Sequence, residues 1–327
     1  MNKRLFPSTN KLVSEIGLGC WQLGGADWGA LDDQRGFDIL HAAADAGVTF
    51  FDTADVYGMG RSEDLIGRFL KQRRGEYFVA TKLGRMPDLY PDKYTEAGVR
   101  AATEASLLRL GVEALDLIQL HCVPPPVLQR GDIFEWLRRL QREGKIRNFG
   151  ASVESMDEAN VCLAEEGLAS LQIIFNIFRQ KPIHTIFAEA KQKGVALIIR
   201  LPLASGLLAG KMTQAQQFGP KDHRTYNREG QAFNVGETFA GLPFVKGVEL
   251  ADALKPLVPA GMTLAEMAQR WILDFDAVTT VITGASKPDQ AAANARVSNL
   301  PSLPAELHSR LREFYEHEVS AHIRGLY

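Results

Sequence analysis

Four residues in this chain of 327 could together move a proton onto a carbonyl oxygen: Asp52, Tyr57, Lys82 and His121. Each lies at or just after the end of a short apolar run that is typical of a buried strand. The runs cover residues 49–51, 77–81 and 115–120, and Tyr57 follows the first run by a few positions. An acid, a phenol, an amine and an imidazole at successive strand ends are the groups that proton-coupled carbonyl chemistry requires.

The pairing of a tyrosine with a lysine has a physical basis. A free tyrosine has a pKa near 10, so Tyr57 would need a shift of roughly 2–3 units, or about 3–4 kcal/mol, to act as an acid near neutral pH. An ammonium about 4 Å away supplies about 4 kcal/mol at an effective dielectric constant of about 20. We therefore expect Lys82 to tune Tyr57, Asp52 to act as the counter-ion of Lys82, and His121 to orient the substrate oxygen.

Taken singly, each residue has a plainer interpretation. A strand-end aspartate is often a helix cap, a tyrosine often packs, a lysine is often a solvated charge, and a buried histidine is often structural. The joint arrangement favours catalysis. Cys122 follows His121, but adjacent strand side chains point to opposite faces, so we expect neither a thiol nucleophile nor a metal site there.

Composition excludes several function classes. Hydrophobic residues make up 46% of the chain and charged residues 23%, and the net charge is −2, so we expect no nucleic-acid partner and no membrane contact. The N-terminus lacks an apolar segment of the kind found in signal peptides. Three cysteines without metal-ligand spacing fit a reducing, cytoplasmic setting. The oligomeric state stays open.

Strands and amphipathic helices alternate along the chain. Candidate strands begin near residues 16, 49, 77, 115, 146, 170, 195 and 279. Several intervening helices end at a glycine, which takes the left-handed conformation freely. Eight such units predict an α/β fold, a (β/α)8 TIM barrel, as a single domain over residues 1–327. We also expect an N-terminal hairpin at about 3–14, a long cofactor or substrate loop at about 204–261, and a C-terminal helix at about 304–319.

The chain resembles the aldo-keto reductase family from about residue 12 to 299. Residues 51–58, Phe-Asp-Thr-Ala-Asp-Val-Tyr-Gly, are similar to the family segment that carries its catalytic Asp and Tyr. Residues 79–82, Val-Ala-Thr-Lys, and 120–121, Leu-His, resemble the segments that carry its Lys and His. The resemblance implies hydride transfer from a nicotinamide cofactor to an aldehyde or ketone, with Tyr57 protonating the oxygen. No Gly-x-Gly-x-x-Gly fingerprint lies between a strand and a helix, so a Rossmann domain is not expected.

The resemblance also implies where the cofactor binds. The family's pyrophosphate loop resembles residues 203–211, and its adenosine-phosphate loop resembles residues 284–290 with Asn294. Because Ser286 and Lys287 begin a predicted helix, they suit a 2′-phosphate, and NADPH is expected rather than NADH. Val153, Arg200 and Ala293 depart from the residues common in the family at the nicotinamide and adenosine contacts. The expected cofactor contacts are Ser152, Gln172, Arg200, Pro202, Leu203, Ser205, Gly206, Leu208, Lys211, Gly284, Ser286, Lys287, Gln290 and Asn294.

The substrate pocket is less defined by sequence. Trp21 and Trp28 follow the first strand and are expected to wall it. Arg85, Arg130 and Arg228 are the candidate cations for a substrate carboxylate. A small-molecule carbonyl compound is the expected substrate. A second function class stays open, a cofactor-binding regulatory subunit like the potassium-channel β-subunits that share this fold. A metal-dependent hydrolase is disfavoured because no His-x-His pair or cluster of strand-end carboxylates occurs.

Overall fold

Eight parallel strands close into a barrel behind a small antiparallel hairpin. The computed structural model describes residues 1–25 and 31–327. The hairpin strands are β1 (Lys3–Phe6) and β2 (Lys11–Ser14). The barrel strands are β3 (Ile16–Gly19), β4 (Phe50–Asp52), β5 (Phe78–Leu83), β6 (Leu117–His121), β7 (Phe149–Ser152), β8 (Leu168–Ile174), β9 (Ala196–Arg200) and β10 (Val278–Gly284). They follow one another in chain order around the barrel, and β10 pairs with β3 to close it. The predicted (β/α)8 barrel and hairpin are confirmed.

Helices cover the outside of the barrel between successive strands. Many begin at a side chain that accepts a backbone N–H, such as Asp32, Thr95 and Ser155. Helix-ending Gly111 has φ 66°, the left-handed conformation that glycine adopts without strain. The helices are α1 (Asp33–Asp45), α2 (Arg61–Gln72), α3 (Glu96–Leu110), α4 (Pro125–Arg130), α5 (Asp132–Arg142), α6 (Met156–Leu163), α7 (Pro182–Thr185), α8 (Phe187–Gln192), α9 (His223–Tyr226), α10 (Phe244–Leu254), α11 (Leu264–Leu273), α12 (Pro288–Arg296) and α13 (Ala305–Phe314).

The barrel interior is apolar at the bottom and polar at the top. Alternate residues of a strand share a face, so Phe78, Ala80 and Lys82 of β5 point the same way. The lower positions form one apolar cluster with Phe6 and Val13 of the hairpin. The Phe6 ring lies 4.8 Å from the Phe78 ring and so plugs the barrel floor. The side chains of Asp52, Lys82 and His121 lie above this apolar cluster, toward the C-terminal ends of the strands.

The long segment after β9 is more structured than the sequence predicted. The expected loop at 204–261 contains the 3-10 turn Ala204–Ala209 and the helices α9 and α10. The prediction of a loop over the whole range was therefore wrong for α10, an 11-residue helix whose residues Val248, Leu250 and Leu254 are buried. The apolar face of α10 packs against the core, and this burial stabilises the helix. The glycines and prolines on either side of α10 made its helical pattern hard to see in the sequence.

The C-terminal segment folds back over this loop. The predicted helix at 304–319 is observed as α13 followed by a π-helical turn, Tyr315–Val319. Beyond it, Arg324 donates to the carbonyl of Gly241 at 2.9 Å. The Tyr327 ring covers the buried guanidinium of Arg179, 4.2 Å from its centre. The tail, which the sequence did not place, thus fastens the long loop to the barrel.

Candidate active site

The C-terminal edge of the barrel brings the predicted catalytic residues together. Asp52 ends β4, Lys82 lies near the end of β5, and His121 ends β6. The strand register places Lys82 opposite Gln119. Because alternate residues of β6 point into the barrel, His121 also points inward, one layer of side chains closer to the C-terminal end. Tyr57 enters from the turn after β4. All four side chains meet at one opening, the end of the barrel at which this fold holds active sites.

The ammonium of Lys82 is fully buried and its three N–H groups have three acceptors. Its Nζ lies 2.6 Å from Asp52 Oδ2, 2.8 Å from the Thr53 carbonyl and 3.3 Å from Tyr57 Oη. Because an ammonium only donates, the Tyr57 oxygen accepts this bond. The hydrogen of the Tyr57 hydroxyl is therefore left to point at another acceptor, which is the orientation that a proton donor to substrate needs.

Tyr57 holds its proton more tightly than the sequence led us to expect. Burial raises the pKa of the Tyr57 hydroxyl above its ordinary value, and Lys82 opposes this shift. The direction is opposite to the lowering expected from the sequence, because lost hydration and the negative charge of Asp52 outweigh the ammonium. Tyr57 is therefore protonated throughout neutral pH, as a general acid must be before it reacts.

His121 is a neutral imidazole in this site. Burial, and after it the charges of Arg85 and Lys82, hold the pKa of His121 well below its ordinary value. Its ring lies 5.8 Å from the Tyr57 ring at an interplanar angle of 88°. Among the described residues its buried Nδ1 has no hydrogen-bond partner. A neutral imidazole carries one N–H and can donate it to a substrate oxygen without bringing a charge.

Asp52 is held in place by amides that the sequence reasoning did not assign to it. Gln172 Nε2 donates to Asp52 Oδ1 at 2.7 Å, and Gln119 Nε2 lies 3.4 Å from the same oxygen. Ser152 Oγ lies 3.5 Å from Gln172 Oε1. Gln172 thus joins the expected nicotinamide contact Ser152 to the Asp52–Lys82 pair. A signal for Gln119 was present in the sequence, since it lies two positions before His121 and so on the same strand face.

Arg200 is part of a charged cluster rather than a free stacking group. Its Nη1 lies 3.3 Å from Glu237 Oε2, and its Nη2 donates to the Val153 carbonyl at 3.0 Å. Arg85 Nη2 donates to Glu237 Oε1 at 2.7 Å and to Glu154 Oε1 at 2.8 Å. The sequence reasoning missed Glu237 and Glu154, and for Glu237, which lies in the long loop, the sequence contains no signal. Cys122, Glu154 and Glu237 have ligand atoms within 4.8 Å of one another, but the two guanidinium groups on these carboxylates oppose a metal cation.

The segment after β9, the expected pyrophosphate loop, is a tight turn closed by its own backbone. Leu201, Ala204 and Ser205 have φ of 53°, 48° and 56°, followed by Gly206 at 100°. The N–H groups of Ala204 and Gly206 donate to the carbonyls of Leu201 and Leu203 at 3.0 and 2.9 Å, so these two donors are already used. Ser205 Oγ accepts from Phe239 N at 3.1 Å and donates to the Glu237 carbonyl, so the loop is fastened to the residues around Glu237. Pro202, Leu203 and Leu208 belong to this loop, and Lys211 is exposed beside it.

The expected adenosine loop follows β10 at the same edge of the barrel. Gly284 ends β10, and Lys287 immediately precedes α12. The Gln290 side chain accepts from the backbone N–H of Ser286 at 2.8 Å, and Asn294 Nδ2 lies 3.3 Å from the Gly284 carbonyl. These two amides stabilise the loop itself, and they would have to rotate to reach a ligand. Lys287 is exposed at the helix N-terminus, and the partly exposed Ser286 donates its hydroxyl to Gln290 Oε1 at 3.0 Å.

Aromatic side chains wall the opening next to Tyr57. The Trp21 ring lies 6.0 Å from the Tyr57 ring and 4.8 Å from the His223 ring. Phe233, from the long loop, meets the Trp21 ring at 6.3 Å. Trp21 therefore lies next to Tyr57, and its role as a wall of the substrate pocket stays a prediction. Trp28, the other predicted pocket residue, lies outside the described residues.

Comparison with known proteins identifies the class of this barrel. The model of the Aldo/keto reductase family matches residues 15–316, nearly the whole chain. The chain belongs to the aldo/keto reductase family, whose members are oxidoreductases that act on small-molecule carbonyl compounds.

Three relatives illustrate the similarity. The aldo-keto reductase YhdN of Bacillus subtilis is 30% identical over 88% of this chain and 85% of its own. An NADH-specific methylglyoxal reductase of Escherichia coli is 27% identical over 92% and 94%. A solved structure of a glycerol dehydrogenase from Gluconobacter oxydans has 28% identity and a TM-score of 0.80, over 99% of this chain and 98% of that one.

The described helices also bear on the membrane prediction. Within residues 1–25 and 31–327, none is both long enough and apolar enough to cross a bilayer.

Proposed function

We propose that this protein reduces aldehydes or ketones to alcohols with NADPH, and that Tyr57 is the general acid. The observation that carries the proposal is the hydrogen bond from Lys82 Nζ to Tyr57 Oη, 3.3 Å long, on a lysine that is itself paired with Asp52 at 2.6 Å. A bound reduced nicotinamide supplies the hydride. The chain's own residues orient the carbonyl and protonate its oxygen.

The proton transfer follows from the geometry around Tyr57. Its oxygen accepts from Lys82, so its hydrogen is free to bond a substrate oxygen. As negative charge develops on that oxygen, Tyr57 donates its proton and becomes a phenolate beside the Lys82 ammonium. Asp52 keeps Lys82 charged at this stage, and the neutral His121 donates a second hydrogen bond to the same oxygen.

The loops after β9 and β10 supply groups that suit a dinucleotide. The exposed Lys211, beside the segment of residues 203–208, would hold the pyrophosphate. Ser152 and Gln172, whose Oε1 lies 3.5 Å from Ser152 Oγ, would hold the nicotinamide carboxamide. The planar guanidinium of Arg200 would lie beside the ring, where its charge is compensated by Glu237.

Turnover of an aldehyde panel, followed by the loss of reduced-nicotinamide absorbance, tests the proposal. We expect Tyr57→Phe to lower turnover by ~10²–10⁴. Cofactor binding, measured by fluorescence titration, should persist because the aromatic ring of residue 57 and the phosphate loops are kept. Retained turnover in the variant would remove Tyr57 as the acid. Tight cofactor binding with no turnover in the wild type would instead favour a regulatory subunit.

The preference for NADPH over NADH needs a separate experiment, since one relative is named as NADH-specific. We expect Lys287→Gln to weaken NADPH binding by about tenfold and to leave NADH binding within about twofold, because a single charge-assisted bond to the 2′-phosphate is lost. Lys246→Gln, which removes the same charge from a partly exposed side chain on α10, is the control. Equal weakening of both cofactors would place Lys287 away from the 2′-phosphate.

A further inference from the structure

Three arginines were candidates for binding a substrate carboxylate, and the structure separates them. Arg130 is exposed at the end of α4. Arg228 donates to the Arg224 carbonyl at 3.1 Å and covers the Phe244 ring at 5.0 Å, within the long loop. Arg85 follows β5 at the catalytic edge of the barrel, and 16% of its side chain is exposed. Arg85 is therefore the candidate that can face the proposed active site.

Contacts on two sides connect Arg85 to the reacting groups. Its guanidinium centre lies 5.6 Å from the Phe233 ring. Phe233 meets Trp21 at 6.3 Å, and Trp21 meets Tyr57 at 6.0 Å. On the other side, Arg85 donates to Glu237 Oε1 at 2.7 Å, and the same oxygen lies 3.9 Å from Sγ of Cys122, the residue after His121. The charge of Arg85 also contributes to the low pKa of His121. Arg85 thus borders the same pocket that Tyr57, Trp21 and His121 surround.

Arg85 keeps hydrogen-bonding capacity in spite of its two ion pairs. Both bonds, to Glu154 and to Glu237, use the same nitrogen, Nη2. Nε and Nη1 of Arg85 make no hydrogen bond to any residue that the structure describes. A guanidinium has five N–H donors, so most of its donors stay available to a ligand that enters beside Phe233.

The carboxylates around Arg85 all lie on one edge of its guanidinium. Glu237 is shared between Arg85 and Arg200, with one oxygen bonded to each. Glu154 Oε1 accepts from the same Nη2 of Arg85 at 2.8 Å. Burial and the neighbouring Glu237 raise the pKa of Glu154 to about 8, which weakens the charge that it sets against Arg85. The edge formed by Nε and Nη1 therefore faces no carboxylate of the described residues.

We propose that Arg85 binds a carboxylate group of the substrate, so that the preferred substrates are oxo acids: aldehydes or ketones that carry a carboxylate. The inference rests on the proposed reductase function and names its substrate class. A planar carboxylate matches the Nε and Nη1 edge of Arg85, which can donate two parallel hydrogen bonds to its two oxygens. Arg85 is on this view a substrate-binding residue, and Phe233 covers one face of its guanidinium.

Matched substrate pairs that differ only in charge test the proposal. The pairs are 3-formylbenzoate with 3-formylbenzamide, and 4-formylbenzoate with 4-formylbenzamide. For each pair the ratio of kcat/KM, acid over amide, is measured on the holoenzyme. We expect a wild-type ratio of about tenfold or more for at least one pair, the usual effect of a hydrogen bond to a charged group. In Arg85→Gln the ratio should fall to about one, mainly through KM of the acid.

Two further variants separate substrate binding from a structural role. Arg130→Gln removes the same formal charge from an exposed site and should keep the wild-type ratio. Arg85→Lys keeps the charge and should keep part of the preference for the acid, which also covers the case in which Arg85→Gln fails to fold. A purely structural Arg85 would lower kcat/KM for acid and amide equally.

The outcomes distinguish this inference from the proposed function. The inference is overturned if the wild type turns over the acid and the amide of each pair with equal efficiency. It is also overturned if the preference for the acid survives in Arg85→Gln. Either result leaves the reductase function standing. Turnover of neither partner, together with no turnover of uncharged aldehydes, overturns the proposed function and this inference with it.

Discussion

Removing Lys82 alone and removing it together with Asp52 should have different effects on stability but the same effect on turnover. The two side chains form an ion pair 2.6 Å long, with 1% and 3% of their side chains exposed. In Lys82→Met the carboxylate of Asp52 loses this partner and stays buried. In the double variant Lys82→Met/Asp52→Asn, both charges are gone, and the asparagine can still bond Gln172.

The magnitude follows from the separation of the pair. Two unit charges 2.6 Å apart attract by about 6 kcal/mol at an effective dielectric constant of about 20. Much of this is offset by desolvation, and breaking one side of a buried pair typically costs about 3–5 kcal/mol. We therefore expect Lys82→Met to lose about 3–5 kcal/mol of unfolding free energy, and the double variant to recover all but about 1–2 kcal/mol of it.

Turnover should not recover with stability. Both variants lack the ammonium next to Tyr57, so nothing stabilises the phenolate that forms as the proton leaves. We expect both to turn over at least ~10² times more slowly than the wild type. The assays are urea unfolding followed by tryptophan fluorescence, and cofactor oxidation at saturating aldehyde.

Two results would refute this reasoning. If Lys82→Met unfolds at the wild-type urea midpoint, the pair does not exist as a buried ion pair in solution. If the double variant regains turnover to within tenfold of the wild type, then Lys82 is needed only to neutralise Asp52. In that case Lys82 does not assist proton transfer from Tyr57.

Two further predictions concern groups away from the proton-transfer step. Burial and the neighbouring Glu63 raise the pKa of Asp55 to about 7, so its contribution to stability is full below about pH 4 and is lost as the pH rises through 7. Asp55→Asn should reduce the change in unfolding free energy between pH 4 and 8 by as much as about 4 kcal/mol. The control Asp64→Asn, at an exposed residue, should leave this change as in the wild type. Parallel curves of unfolding free energy against pH for the two variants would contradict the assignment. Tyr327→Ala should lower the unfolding free energy by about 2 kcal/mol. Buried Arg179 loses a cation–π contact, and the hydrogen bonds of the Tyr327 hydroxyl with the Lys181 N–H and the Tyr315 hydroxyl are lost. Leu326→Ala, whose side chain is 57% exposed, should leave thermal stability unchanged, and an equal loss in both variants would mean that the ring does not matter.

The parts of the fold that local sequence patterns encode were predictable. The strands are continuous apolar runs, and their C-terminal ends must meet once the barrel closes, so Asp52, Lys82 and His121 could be brought together from the sequence alone. Gln119 could have been added by the same alternation. The position of Trp21 next to Tyr57 was predictable because Trp21 directly follows a strand of the barrel.

The contacts that depend on long-range folding were not predictable. Glu237 lies in the long loop, and no periodicity indicates that it bonds both Arg85 and Arg200. The tail stayed unplaced for the same reason, since its position depends on Arg179 and Gly241, which are distant in the chain. The direction of the Tyr57 pKa shift was missed because it depends on burial, which spacing along a sequence does not report.

The seam between β3 and β10 has a consequence for how the protein is made. The Thr283 hydroxyl donates to the Gly17 carbonyl at 3.4 Å across 266 positions of the chain. At a synthesis rate of ~5–20 residues per second, roughly 13–50 s separate the appearance of these two residues. Throughout that interval β3 has an unpaired edge on the growing chain, and such edges invite pairing with other nascent chains. The strand is only four residues long and contains Gly17 and Gly19, so it offers a poor template for such pairing during the delay.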